Sequence, residues 1–189
     1  MNMLRQLGAG VRALAVFTLL LGLIYPLAMT GAAQAFFPDN ANGSLVRVDG
    51  KDVASDLIGQ TYAGAQWFQS RPSAVKYDGM GSGASQYGPK NAEFLKAVEE
   101  RRKAVAAFEG VEPEQVPVDA VTASASGLDP HISPAYAALQ VFRVALERGI
   151  DVEKVRQLVA ANTEGRTLGF LGAPRVNIVT LNRDLAVLS

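Results

Sequence analysis

Residues 13–37 read ALAVFTLLLGLIYPLAMTGAAQAFF and carry no charged side chain. Because about 20 apolar residues span the ~30 Å hydrocarbon core of a bilayer as a helix, this stretch is long enough to cross a membrane. The chain after residue 38 is polar and rich in turn-forming residues, as expected of a domain that folds in water. The sequence therefore predicts an N-terminal segment at 1–12, one transmembrane helix at 13–37 and one domain at 38–189.

A cleaved export signal is the alternative interpretation of the apolar stretch. Ala33-Gln34-Ala35 fits the small-x-small pattern of a signal-peptidase site, and cleavage there would release a secreted protein. However, the apolar run is longer than the ~7–15 residues usual for a signal. Pro26, Thr30 and Gln34 also give its second half a polar side, and Thr and Gln can hydrogen-bond between membrane helices. These features favour a retained anchor that packs against other helices.

The charges beside the apolar stretch predict its orientation. Arg5 and Arg12 precede it, no acidic residue occurs in the first 38 positions, and Asp39 follows it directly. Basic residues stay on the cytoplasmic side of a membrane helix. The prediction is a cytoplasmic N-terminus and an extracytoplasmic C-terminal domain.

Composition narrows the function classes of this domain. The 189-residue chain has no cysteine, which excludes disulfides, thiol chemistry and zinc held by cysteine. All 18 acidic residues but only 16 of the 18 Lys and Arg lie beyond residue 38, giving a formal charge of −2. This balance offers no clustered basic face for nucleic acid. About 150 residues are enough for one domain with its own core.

Alternating strand and helix patterns predict an α+β or α/β fold for the domain. Strands are expected at 44–48, with Asp49-Gly50 as a hairpin turn, at the start of 117–133, and at 176–181. Helices are expected after the cap residues Asn91, Ser133 and Asp151. The buried stripe predicted for the second of these helices consists of Ala138, Val141, Phe142, Ala145 and Leu146.

The glycine-rich stretch YDGMGSGASQYGPKN at 77–91 resembles a phosphate-binding loop only in its glycine spacing. Gly83 and Gly88 have the right gap, but Pro89 stands where such a loop needs lysine. An ordered surface loop with several residues at positive φ is the favoured interpretation.

A second conspicuous stretch, PVDAVTASASGLDPHIS at 117–133, holds Ser124, Ser126, Asp129 and the only histidine, His131. A hydrolase triad needs such residues, but no G-x-S-x-G elbow is present and triad members normally converge from distant segments. A lone histidine is also a poor metal site. The stretch predicts a hydrogen-bonded turn at Asp129 and His131, packed or poised against a partner. An exported hydrolase or binding protein that uses Ser126, Asp129 and His131 is the alternative.

Short phrases along almost the whole chain carry a family resemblance. They are Tyr25-Pro26-Leu27, Thr30-Gly31 and Gln34; Phe37-Pro38, Ala41 and Gly43-Ser44-Leu45; Leu57-Ile58-Gly59-Gln60, Phe68 and Arg71-Pro72-Ser73-Ala74; Gly88-Pro89, Asn91 and Pro117-Val118; Thr122-Ala123-Ser124 and SGLDPHIS at 126–133; and Leu171-Gly172 with Pro174-Arg175-Val176-Asn177. With these phrases the chain resembles the C subunit of the Kdp potassium-transporting P-type ATPase. It departs from the family pattern at Ala125, Ala84 and Gln86, which affects only loop detail.

The resemblance implies a single-pass subunit of a four-component complex in the bacterial inner membrane. In that family the A subunit carries potassium and the B subunit hydrolyses ATP, while the C subunit and the very small F subunit assist assembly. The chain is then not an enzyme itself. It lacks the D-K-T-G-T phosphorylation phrase, and ATP and potassium belong to the complex, with no cofactor or metal expected here.

The resemblance also implies a catalytic chaperone that raises the ATP affinity of the B subunit, with Gln140 as a nucleotide contact. An extracytoplasmic domain cannot touch cytoplasmic ATP, so we expect an indirect effect. A third possibility is that the domain caps the potassium entrance of the A subunit. The partner-binding residues expected on this basis are Tyr25, Pro26, Thr30, Gly31 and Gln34 in the helix, and Ser126, Asp129 and His131 in the domain.

Overall fold

A computed structural model describes residues 3–48 and 50–188, which divide into two compact units between Leu45 and Val46. The first unit is a continuous helix from Met3 to Phe36, with a mean hydropathy of 2.1 over its most apolar window. It consists of α1 (Met3–Leu19), a π-helical turn (Leu20–Ile24) and α2 (Tyr25–Phe36). The helix includes most of the predicted segment 1–12 and is long and apolar enough to span a bilayer.

Pro26 gives a physical reason for the π-helical turn. Proline has no N–H to donate, and its ring collides with the carbonyl four residues earlier, which here belongs to Gly22. The wider turn at Leu20–Ile24 opens the ladder at this point, as π-bulges do. Thr30 and Gln34 follow Pro26 at intervals of four and therefore share one side of α2.

The long helix ends at Phe36, one residue before the predicted end at residue 37. Phe37 leaves helical geometry, and the short helix α3 (Pro38–Ala41) follows within the predicted turn-forming stretch. Gln34 and Asn42 exchange two amide hydrogen bonds, of 3.2 and 3.3 Å. This pair ties the end of α3 to the last turns of α2.

The second unit has the mixed architecture predicted from the sequence. Its elements are β1 (Leu45–Val48), β2 (Lys51–Ser55), α4 (Ala92–Glu109), β3 (His131–Ile132), α5 (Pro134–Arg148), α6 (Val152–Ala161), β4 (Thr163–Glu164), β5 (Arg175–Asn177) and α7 (Ile178–Val187). β1 and β2 pair with each other, which confirms the predicted first strand, while Asp49 of the predicted turn lies outside the described residues. The other sheet has the order β3-β5-β4 and is antiparallel, so the fold is α+β.

Local capping signals are confirmed at all three predicted helix starts. The side chains of Asn91, Ser133 and Asp151 accept backbone N–H groups from the first turns of α4, α5 and α6. Gly110 and Gly149 end α4 and α5 in the left-handed conformation, which glycine adopts without steric cost.

One predicted strand is correct only at its start, and another is not formed. The strand predicted at 176–181 stops at Asn177, whose Oδ1 accepts the N–H groups of Val179 and Thr180 and so caps α7. Ile178, Leu181 and Leu185 are then buried at helical spacing. At the start of 117–133 the chain forms a 3₁₀ turn, Val118–Ala120, because the carbonyl of Val118 accepts hydrogen bonds from both the backbone and the hydroxyl of Thr122.

The buried face of α5 is rotated from the predicted stripe. Val141 and Ala145 are buried as expected, but Ala138, Phe142 and Leu146 face solvent. Gln140, Arg143 and Val144 take the buried positions instead. The apolar pattern gives the wrong buried face because Gln140 and Arg143, two polar residues of this helix, bind the backbone of another segment of the domain.

The glycine-rich loop at 77–91 is ordered, as predicted, but its glycines do not supply the left-handed residues. Among the described residues of this loop, Tyr77 and Gln86 have positive φ, at 59° and 53°. The peptide N–H of Gly83 and the hydroxyl of Ser82 both donate to the carbonyl of Ser126. The loop is therefore held by a neighbouring segment.

Gly127 sits where two loops approach most closely, and this predicts a strong effect of one methyl group. A Cβ at Gly127 would lie 2.5 Å from Val75 Cγ2 and 2.8 Å from the Gly83 oxygen, and its φ is 71°. Gly110 has a similar φ of 68° and open space around it. We expect Gly110→Ala to cost about 1 kcal/mol of unfolding free energy and Gly127→Ala about 3 kcal/mol.

Chemical denaturation of the full chain in detergent measures both variants. The difference between them isolates the collision from the backbone strain that they share. Equal losses in the two variants would contradict the close approach of the loops.

Candidate functional site

Three segments pack together into what we name the loop layer, consisting of residues 57–60, 71–83 and 121–131. Backbone hydrogen bonds join them: Gly59 N–H donates to Leu128 (2.8 Å), and Gly83 N–H donates to Ser126 (2.9 Å). The Ser73 hydroxyl adds a bond of 2.6 Å to the Gly127 carbonyl. Distant phrases of the sequence therefore meet in one surface.

Asp129 is the charged centre of the loop layer. Its Oδ1 accepts the backbone N–H of His131 at 3.0 Å and lies 3.3 Å from His131 Nδ1. Its Oδ2 accepts a bond of 3.0 Å from Arg71 Nη1. Burial raises the pKa of Asp129, but the bonds from His131 and Arg71 outweigh it and hold the pKa below its usual value. The predicted turn at Asp129 and His131 is thus confirmed.

The two serines of the alternative hydrolase interpretation accept backbone N–H groups of their own loop. Ser124 Oγ accepts the N–H of Gly127 at 2.7 Å, and Ser126 Oγ accepts that of Leu128 at 3.1 Å. Within the described part of the chain, neither hydroxyl hydrogen-bonds to His131. The arrangement lacks the nucleophile–base contact on which a serine hydrolase depends.

A groove of about 560 Å³, lined by both charged and apolar residues, runs along the loop layer. Asp119 stands in one wall and holds Ser133 through its N–H (2.7 Å) and hydroxyl (2.9 Å). Asp129, His131 and Arg175 also line the groove. Among residues 3–48 and 50–188, no group of three His, Cys, Asp or Glu side chains is placed to hold a metal ion.

Gln140 lies away from this groove and is fully buried in α5. Its Oε1 accepts the N–H of Gln69 at 2.6 Å, and its Nε2 donates to the carbonyl of Gln69 at 3.1 Å. Asn182 of α7 makes the same pair of bonds with Phe68, at 3.0 and 2.9 Å. We name residues 65–69 the clamped segment, because two amides hold it between α5 and α7.

Arg143 is a third side chain that holds the clamped segment, and no pattern in the sequence predicts this role. Its Nη1 donates to the carbonyls of Ala65 and Trp67, its Nη2 to Gln140 Oε1, and its Nε to Glu109 Oε2 at 2.9 Å. Both charged side chains are buried. Removing one partner of such a pair typically costs about 3–5 kcal/mol, because the other charge is left uncompensated.

Burial raises the pKa of the Glu109 carboxyl, against the opposing hydrogen bond and positive charge of Arg143. The other oxygen, Glu109 Oε1, is buried and makes no hydrogen bond with the described residues. A signal for this network exists in the sequence, since Gln140 and Arg143 are three apart and share a helix face. The periodicity of the apolar residues in α5 gives no reason to expect that this face is buried.

The helix residues predicted to bind partners all lie in α2 and face outward. Tyr25, Pro26, Thr30, Gly31 and Gln34 have no core around them in the first unit. Gln34 is engaged with Asn42 as described. Their role in binding other helices stays a prediction.

Comparison with protein families identifies the chain. The family model described as "K+-transporting ATPase, c chain" matches residues 7–187. The chain belongs to the KdpC family. The match includes most of the apolar helix and nearly all of the second unit.

Individual members of the KdpC family are similar over nearly their full length. The potassium-transporting ATPase KdpC subunit of Kineococcus radiotolerans is 54% identical over 186 residues, which cover 97% of this chain and 94% of that protein. The KdpC subunit of Koribacter versatilis is 48% identical over 185 residues, covering 97% and 95%. That of Caldanaerobacter subterraneus is 49% identical over 171 residues, covering 90% and 89%.

The lowered pKa of Asp129 predicts a pH-dependent part of the stability. A depressed carboxyl pKa stabilises the fold above the unfolded value of about 3.9, and this contribution is lost as the pH falls through the folded value. Arg71→Met removes one cause of the depression. We therefore expect this variant to be less stable than the native chain at pH 7, with a gap that narrows towards pH 3.

Denaturation midpoints of the full chain between pH 7 and pH 3 measure this gap. In an Asp129→Asn background, Arg71→Met should shift the midpoint equally at every pH. A gap that does not change with pH in the native background would show that the two side chains are not coupled.

Proposed function

We propose that this KdpC-family chain is a non-catalytic accessory subunit of the potassium-transporting ATPase. It stabilises assembly with the A, B and F subunits and raises the ATP affinity of the hydrolysing B subunit indirectly. One observation carries the proposal: the polar side chains of the stretch 117–133 make hydrogen bonds within the domain. Ser124, Ser126 and Asp129 hold the backbone of the loop layer in place. A surface held in one shape is better suited to binding a partner than to catalysing a reaction.

The buried position of Gln140 supports an indirect route to ATP. All its bonds hold the clamped segment and Arg143, and no part of the side chain is exposed. Gln69 is only two residues from Arg71, which holds Asp129. Loosening Gln140 would therefore displace the loop layer, and with it the surface available to the other subunits.

Gln140 and Asn182 provide a matched test of this route, because they clamp consecutive residues from opposite sides. We expect Gln140→Ala and Asn182→Ala to raise the ATP KM of the purified complex to a similar extent. The ATP KM of the complex without this chain sets the upper limit for the KM of both variants. Each variant should also lower the melting temperature of the chain, since each leaves buried backbone groups unpaired.

Direct nucleotide contact makes a different prediction for the same pair. Gln140→Ala would then raise the KM while Asn182→Ala, with an equal loss of stability, would leave it unchanged. That result would contradict the indirect route. A complex that assembles and hydrolyses ATP normally without this chain would contradict the accessory role itself.

We further propose that the apolar helix is a retained anchor, with the N-terminus in the cytoplasm and the second unit outside. Arg5 and Arg12 before the helix support this orientation. Because the chain has no cysteine, single cysteines report topology without background. Met80 is 96% exposed in the glycine-rich loop, and Leu4 is exposed near the N-terminus.

In sealed spheroplasts, a membrane-impermeant maleimide should label Met80→Cys at once and Leu4→Cys only after lysis. Leu4→Cys leaves both arginines in place and so preserves the charge bias. Labelling of Leu4→Cys on the full-length chain would also show that the anchor is not cleaved. The reverse labelling pattern would place the domain in the cytoplasm.

A further inference from the structure

The sequence contains one asparagine that is followed by glycine, in the pair Asn42-Gly43. Glycine has no side chain to obstruct its own backbone nitrogen, so this nitrogen can attack the amide carbon, Cγ, of the asparagine before it. The bond between the Gly43 nitrogen and Cγ forms, the N–H proton passes through water to Nδ2, and Nδ2 leaves as ammonia. Water then opens the cyclic imide to an aspartate or an isoaspartate. In total, one amide and one water become a carboxylate and an ammonium ion.

The backbone conformation at Asn42 opposes this ring closure. Asn42 follows α3 with a φ of −97° and a ψ of 10°, which places the nitrogen of Gly43 beside the backbone nitrogen of Asn42 and away from its Cβ. Closing the ring requires a rotation of ψ that brings the Gly43 nitrogen over Cβ. The Gly43 N–H donates to the carbonyl of Asn40 at 3.1 Å, and the Ser44 N–H donates to that of Asp39 at 2.8 Å. Both hydrogen bonds would have to break for the rotation.

The side-chain amide of Asn42 is held in place as well. Its Nδ2 donates to the carbonyl of Pro38 at 2.7 Å and to Gln34 Oε1 at 3.3 Å, while its Oδ1 accepts from Gln34 Nε2 at 3.2 Å. These bonds use both hydrogens of the nitrogen that would leave. The amide therefore cannot turn towards Gly43 without losing them.

We propose that Asn42 is a deamidation site and that Gln34 protects it in the folded chain. Gln34 lies in the last turns of α2, eight residues before Asn42, and supplies two of the three hydrogen bonds on the reacting amide. An aspartate at position 42 would have no N–H group to donate to Pro38 or Gln34, and an isoaspartate would add a carbon atom to the backbone. Either product loosens the tie between α2 and α3. This role of Gln34 requires no other subunit and is independent of the proposed accessory function.

Peptide mass spectrometry of the full chain in detergent, incubated at mildly alkaline pH, measures the deamidation of Asn42. We expect the native chain to react about tenfold or more slower than the same chain unfolded in denaturant, because several hydrogen bonds must break first. Gln34→Ala removes two exposed hydrogen bonds and should speed the reaction of the folded chain about fivefold. Thr30→Ala removes a polar group one turn earlier on the same side of α2 and should leave the rate unchanged.

Asn40 is the internal reference for this experiment, because it lies in α3 but is followed by Ala41 instead of glycine. We expect Gln34→Ala to accelerate the reaction at Asn42 without accelerating that at Asn40. Equal acceleration at both residues would show that the variant has opened α3 as a whole, and would overturn the specific protection by Gln34. A rate at Asn42 that Gln34→Ala leaves unchanged, or that is the same in the folded and the unfolded chain, would overturn the proposal as well.

Discussion

Five consecutive backbone carbonyls, from Ala65 to Gln69, accept hydrogen bonds from side chains instead of from a neighbouring strand. Arg143 and Arg148 of α5 bind the first three, Asn182 of α7 binds the fourth and Gln140 binds the fifth. Phe68 is the buried residue of this segment, and buried backbone groups must be paired. Asn182 supplies both of its backbone hydrogen bonds, while the flanking residues are half-buried or exposed. The packing of Phe68 at the centre of the core depends on the same bonds.

The clamp and the loop layer commit several polar side chains of the domain to internal hydrogen bonds. Arg143, Gln140 and Asn182 bind backbone carbonyls of the clamped segment, and Arg143 also pairs with Glu109. In the loop layer, Ser124, Ser126 and Asp129 accept backbone N–H groups of their own loop. The loop layer presents a groove at the surface, and α5 presents an exposed outer face. Under the proposed accessory function, other subunits contact surfaces of this kind.

The helix starts can be predicted from short-range signals in the sequence. The buried networks depend on contacts between residues far apart in the chain, for which the sequence carries no local signal. Asn91, Ser133 and Asp151 were recognised because a cap acts on residues two or three positions away. Asn177 has the same role but was read as part of a strand, since the β-branched residues around it favour extended structure. The burial of Gln140 depends on Gln69, which is 71 residues away, and no period within α5 encodes that. The pairing of Arg71 with Asp129 is hidden in the sequence for the same reason, because the two residues are 58 positions apart.

Under the proposed accessory function, the chain that runs from the clamped segment into the loop layer provides a route from the buried Gln140 to the surface that other subunits contact. Gln140 fixes Gln69, and Arg71 follows two residues later with its guanidinium on Asp129. Only Ser70 separates Gln69 from Arg71, so the backbone directly links the residue that Gln140 holds to the residue that holds Asp129. Asp129 in turn sets the position of His131 and the wall of the groove. An effect of Gln140 on ATP affinity therefore requires only that the loop layer contacts a subunit whose conformation is linked to ATP binding. Thermodynamic linkage between the subunit contact and ATP binding then couples the two sites, so no contact between Gln140 and ATP is needed.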